Sequence, residues 1–124
     1  MIDFANAAYV KLTERNPADA HAELAELLLP DERVLAAFRG VRDSVTFTTK
    51  RIVAVNVQGM TGKKKDCTSL PYSRIQAFSV ETAGTFDRDT ELELWFSGLG
   101  LVKLEFGAGV DIRGLSRLLA ERCL

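Results

Sequence analysis

The apolar positions change period along the chain, and each change marks an element. Ala20, Leu24, Leu27 and Leu28 recur at intervals of three and four, with Glu23 and Glu26 between them, which is the spacing of a helix with one buried stripe. Asn16 offers an N-cap side chain, Pro17 a first-turn residue whose missing N–H costs nothing there, and Asp19 an acid at the positive end of the helix dipole. A helix from Pro17 to about Leu28 is therefore predicted, stopped by Pro30 and Asp31. Upstream, Phe4, Ala8 and Leu12 share a four-residue spacing and predict a short first helix from about Asp3 to Glu14.

After Pro30 the period becomes two. Arg33 to Arg39 and Ser44 to Thr49 read as strands, the second with Val45 and Phe47 on one face. Arg51 to Val57 is β-branched or apolar at nearly every position, the composition of a central strand covered on both sides. Gln58, Gly59, Met60, Thr61 and Gly62 form a turn into a return strand, Lys63 to Leu70, which Pro71 ends. Ile75 to Thr82 is a further strand, followed by a turn from Ala83 to Asp89. Leu92, Leu94 and Phe96 then alternate with Glu91, Glu93 and Trp95, and Val102, Leu104 and Phe106 with Lys103 and Glu105, so one face is core and the other mainly wet. Asp111 can cap a last helix whose Ile112, Leu115, Leu118 and Leu119 form a stripe, ending at Leu124.

The expected architecture is mainly β with flanking helices. About seven antiparallel strands form a bent barrel, capped by the C-terminal helix and preceded by the N-terminal one. A chain of 124 residues, 47% hydrophobic, suits a single domain. Residues 1–30 are its N-terminal helical segment, 31–109 the barrel and 110–124 the capping helix.

Net charge is -1, which makes no global case for nucleic acid or an anionic surface as partner. Its distribution is uneven. Met1 to Phe38 and Ile75 to Leu124 are acidic, whereas Arg39 to Arg74 holds eight Lys or Arg against two Asp or Glu. Such a block marks either a binding face or the solvated rims of strands. Lys63, Lys64 and Lys65 are its densest part, following a glycine turn, and read as an anion site or as the guarded edge of a sheet.

Catalytic patterns are missing. Cys67 and Cys123 stand far apart with no CxxC pair or Cys/His cluster, so neither a zinc site nor a disulfide framework is expected. His21 is the single histidine and reads as structural, and no serine has a base beside it. Gly59 to Gly62 lacks the spacing of a phosphate-binding loop that opens a helix. Asp87 and Asp89 read as turn residues. No apolar run approaches the roughly 20 residues of a membrane span and no leader precedes Asp3, so the protein is expected in the reducing cytoplasm, without cofactor or metal. Trp95, on the polar side of its strand, either meets a partner or is covered by the N-terminal helix.

Several strings then carry a resemblance. Arg42-Asp43, Phe47-Thr48 with Lys50-Arg51, Gln58-Gly59-Met60-Thr61-Gly62-Lys63-Lys64, Leu70-Pro71-Tyr72 and Glu81-Thr82-Ala83-Gly84-Thr85-Phe86-Asp87 resemble the bacterial pleckstrin-homology-like family of short uncharacterised proteins. Leu27-Leu28-Leu29-Pro30 and Asp111-Ile112 extend the likeness over most of the chain. The resemblance implies a barrel closed by the C-terminal helix, no enzymatic activity and a tendency to homo-oligomerise. Pleckstrin-homology domains of eukaryotes are associated with phosphoinositide binding through basic residues in the loop joining their first two strands. The matching connection here, Gly40 to Ser44, is short and offers only Arg39 and Arg42.

The leading expectation is thus a non-enzymatic interaction or scaffold module that self-associates, with a protein partner and Trp95 as an interface residue. The alternative is a binder of an anionic ligand, a lipid headgroup or a phosphorylated molecule, through Lys63, Lys64, Lys65, Arg39, Arg42 and Arg74. Membrane lipid is the less favoured partner and nucleic acid is not expected.

Overall fold

The computed structural model describes residues 1–6 and 9–124. The chain runs β1 (Tyr9–Glu14), α1 (Pro17–Glu23), β2 (Val34–Arg39), β3 (Asp43–Thr48), β4 (Arg51–Gln58), β5 (Lys64–Pro71), a 3-10 turn (Tyr72–Arg74), β6 (Ile75–Glu81), β7 (Thr90–Phe96), β8 (Gly100–Phe106) and α2 (Ile112–Cys123). The strands form one sheet in the order β5-β4-β3-β2-β1-β8-β7-β6. It is strongly bent but open, with β5 and β6 as its two edges. The mainly β architecture with a helix near each end is as expected; the strand count is eight rather than about seven.

The additional strand is a correction to the first helix. Tyr9–Glu14 is β1, antiparallel to β2 at Thr13 and Glu14 and parallel to β8 at Tyr9 and Leu12. The register shifts between Tyr9 and Leu12, and Lys11 there has a φ of 55°, which a helix does not allow. This bulge turns both Tyr9 and Leu12 inward although they are three residues apart. A kinked strand thereby imitates helical spacing. Tyr, Val and Thr in this segment favour the strand. Ala8, the middle member of the supposed stripe, lies outside the described residues.

α1 is also shorter than expected. Asn16 caps it through Oδ1 on the Ala18 amide at 2.9 Å, and Pro17 opens it. The helix ends at Glu23, and the chain continues in turns that leave Leu27 about half exposed. Leu24 and the half-buried Leu28, in the turns that follow α1, pack on Val53 and Val55, so this segment covers the outer face of β4. With that cover, Ser44 to Thr48 and Ile52 to Val55 are buried on both faces. The main core lies inside the bend, where Leu12, Phe47, Ile52, Leu92, Leu94, Leu104 and Phe106 meet. α2 closes it with Ile112, Leu115 and Leu119, capped by Asp111 on the Gly114 amide at 3.0 Å.

One buried ion pair ties the α1–β2 loop to β4. Glu32 takes two hydrogen bonds from Arg51, on Oε2 from Nε and on Oε1 from a terminal nitrogen, both at 2.9 Å. The Thr48 hydroxyl donates to Oε2 at 2.6 Å and the Leu29 amide to Oε1 at 3.1 Å. Arg51 also reaches the Leu27 carbonyl and Ser69 Oγ, both at 2.8 Å. Burial alone pushes the Glu32 carboxyl up, but the bonds from Arg51, Thr48 and Leu29 win and hold it at about 2.

That value lies below the roughly 4.3 of an unstructured glutamate. The ionised form therefore stabilises the fold fully above about pH 4.5, and the contribution is lost as pH falls toward 2. Glu32→Gln is expected to cost about 2–3 kcal/mol at neutral pH, at or just below the low end of the range for a broken buried pair because Arg51 keeps some solvent contact. Urea denaturation across pH 2 to 7 checks both points: the variant should lose much of the acid dependence of the wild type. Leu12→Ala should cost about 3 kcal/mol in the same assay, as for any fully buried core leucine.

Candidate functional site

The basic block divides once it is folded. β4 and β5 pair from Arg51 with Pro71 to Gln58 with Lys64, a ladder that places Lys63, Lys64 and Lys65 at one end and Arg74 just past the other. Seven residue steps separate those ends, about 23 Å at the rise of a strand. Arg74 therefore shares no site with the lysines. Arg39 and Arg42 do share one: with Arg15, Glu23 and Asp43 they line a groove of about 370 Å³ beside the β2–β3 turn.

Several of these cations are already engaged. An Arg42 terminal nitrogen donates to the Gly59 carbonyl at 2.6 Å, pinning the β4–β5 turn. Arg15 pairs with Glu23, and the Lys65 ammonium lies 3.9 Å from the same carboxylate. Lys63 and Lys64 are exposed. Lys64 and Lys65 stand on β5, an edge of the sheet, where lysine discourages pairing with a second chain. The placement agrees with edge protection and gathers no six-residue anion site.

The other edge is built differently. β6 runs Ile75-Gln76-Ala77-Phe78-Ser79-Val80-Glu81, with no proline and no charge before its last residue. Its outer rim has no strand partner. The sequence alone does not reveal this edge, because only the strand order shows which strands are terminal.

Trp95 lies on the outer face of β7 and is 49% exposed. No helix covers it among the described residues. In the β7–β8 register it stands opposite Leu101, which is 42% exposed. A groove of about 890 Å³ runs beside them, with Asp3, Phe4 and Ala5 on one side and Val10, Glu91, Lys103 and Glu105 around the rest. The N-terminal segment is held there by the Ile2 amide on Thr68 Oγ1 at 3.1 Å and by Phe4 stacked on Tyr9 at 5.9 Å.

Groups suited to covalent chemistry are scattered. Burial pushes the Cys67 and Cys123 thiols up, with Asp66 adding to the effect at Cys67. His21 is exposed on α1. Asp87 accepts the Asp89 amide at 3.0 Å and Asp89 pairs with Lys11 at 2.9 Å, ordinary turn chemistry. Among the described residues no group of three metal-ligating side chains forms, and no helix is long and apolar enough to cross a membrane.

Comparison with known proteins gives a consistent picture. The family model described as bacterial PH domain matches residues 3–123. The uncharacterized protein YjqA of Bacillus subtilis is 47% identical over 86% of this chain and 87% of its own length. A crystallised protein with a pleckstrin-homology domain from Shewanella loihica superposes with a TM-score of 0.82 at 39% identity, covering 93% of this chain and 99% of that one. A pleckstrin homology domain from Shewanella amazonensis gives 0.69 at 40% identity, over 96% and 93%.

The lysine reading makes a prediction. Replacing Lys64 and Lys65 by valine should change folding stability by no more than about 0.5–1 kcal/mol, since both are exposed. It should also produce larger species than the wild type at equal concentration, because the β5 edge is then unguarded. Chemical denaturation and light scattering check the two halves.

Proposed function

The chain belongs to the bacterial PH domain family, and on that basis we propose that it is a non-enzymatic interaction module that self-associates through the β6 edge. The observation that carries this reading is the difference between the two sheet edges. β5 carries Lys64, Lys65, Asp66 and Pro71, whereas β6 is uncharged as far as Val80. An uncharged terminal strand with a free row of N–H and C=O groups is a template for a strand of another molecule.

Main-chain pairing at such an edge supplies affinity, and the half-buried Phe78 and Val80 fix which face of an added strand turns inward. Strand addition needs no catalytic group, which agrees with the scatter of Cys, His and Ser residues over the fold. It also explains why one edge is guarded: if both were bare, copies would add without limit.

Size-exclusion chromatography with light scattering tests the reading. The wild type is expected at a defined multiple of the protomer mass, and Gln76→Lys with Ser79→Lys, both exposed on β6, at the protomer mass with unchanged circular dichroism. A wild type that stays monomeric at high micromolar concentration overturns the proposal.

A further inference from the structure

The outer face of the sheet differs between its two halves. The turn after α1 lies over the β4 part of it, with Leu24 against Val53 and Val55. The β1–β8–β7 half has no helix over it among the described residues, and it exposes Val10 at 49%, Leu101 at 42% and Trp95 at 49%. These three line the same groove of about 890 Å³, whose far wall is the segment Asp3 to Ala5.

The rim of that groove is acidic. Asp3, Glu91 and Glu105 line it together with Lys103, whose ammonium is 3.4 Å from Glu91, and with Met1, whose ammonium pairs with Asp66; the Asp3 carboxylate accepts from Ala5 and Asn6. Glu91 is also paired in register with Glu105 on one side and with Glu81 on the other. Three carboxylates thus stand in a row across β6, β7 and β8. Like charges directly opposite weaken a sheet; Lys103 pairs with Glu91, and Glu105 has only the longer-range attraction of Lys11, which is itself paired with Asp89. A cation laid along the row would convert that repulsion into attraction.

We propose that this groove binds a short, basic, extended segment of another protein. An apolar side chain rests on Trp95 and Leu101, and a neighbouring Arg or Lys reaches Glu91 and Glu105, with Trp95 also offering a ring face to a cation. The groove is lined by the segment Asp3 to Ala5 and by residues of the three strands β1, β7 and β8. The protein's own lysines do not supply the basic, extended segment. Lys63 and Lys64 sit at the head of a two-stranded hairpin whose turn is pinned by Arg42.

The site goes beyond the self-association reading. It lies on the face of the sheet rather than its β6 edge, so either can fail alone. Trp95 is the single tryptophan and reports directly on the groove. Two peptides of about ten residues serve as probes, one of arginines around a central phenylalanine and leucine, the other with glutamate in place of every arginine.

The arginine peptide is expected to shift Trp95 emission to the blue, with affinity falling as salt rises. Glu91→Lys with Glu105→Lys should weaken it at least roughly tenfold. Glu26→Lys with Glu121→Lys, both exposed and away from the groove, changes the net charge by the same amount, should keep most of the binding and shows that a changed net charge alone is not responsible. No emission change, an equal response to the glutamate peptide, or undiminished binding by the charge-reversed variant overturns the proposal. So does a Trp95 emission that shifts to the red in Lys63→Glu with Lys64→Glu, because a neighbouring copy would then be the occupant.

Discussion

Two stacks of strands, β2 to β5 and β6 to β8, are each built from neighbouring hairpins, and one six-residue strand joins them. β1 does so by using its ends separately: Tyr9 and Leu12 pair with β8, and Thr13 and Glu14 with β2. The bulge at Lys11 makes this geometry workable. It lets Tyr9 and Leu12 both enter the core while Val10 and Lys11 point out. Lys11 can then reach Asp89 in the β6–β7 turn, and Val10 becomes part of the groove beside Trp95. The bend, the core and the exposed apolar face all follow from the path of this strand.

That strand is also where sequence reasoning fails, for a physical reason. Alternation is a reliable guide wherever a strand is regular, as in β3, β7 and β8, and the continuous apolar run of β4 serves as well; all four lie within about a residue of their expected positions. α2 is equally legible, since Asp111 and the stripe of Ile112, Leu115 and Leu119 specify its start and its buried face. A bulge breaks the period of two, and Tyr9 with Leu12 then show the spacing of a helix. The end of α1 is hidden differently. Leu27 has the periodicity to continue the helix, yet its carbonyl accepts from Arg51, twenty-four residues away.

The candidate site shows the same division. That Trp95 faces away from the core was legible from alternation alone. That the N-terminal segment walls its groove was not, because the contact from the Ile2 amide to Thr68 spans 66 residues and no local pattern encodes it. The basic block misleads in the opposite sense. Contiguous in sequence, it is spread by the β4–β5 ladder to both ends of the hairpin. Density of charge along a chain becomes density in space only when the strand register permits it.

Edges and faces of a sheet are protected by different means. An edge exposes backbone, so charge or proline on the strand itself is what blocks pairing, as Lys64, Lys65 and Pro71 do on β5. A face exposes side chains, so only cover or polarity keeps it single. The turns that follow α1 supply cover on one half of the outer face. On the other half the glutamate row supplies polarity: it repels acidic partners, and a neutral one would have to bury unpaired carboxylates. A face guarded by one sign of charge is selective rather than closed, and Trp95 beside it gives the admitted partner an apolar anchor. On the proposed readings, the glutamates over β6, β7 and β8 would act on which partner is accepted, and the bare β6 edge on whether copies join.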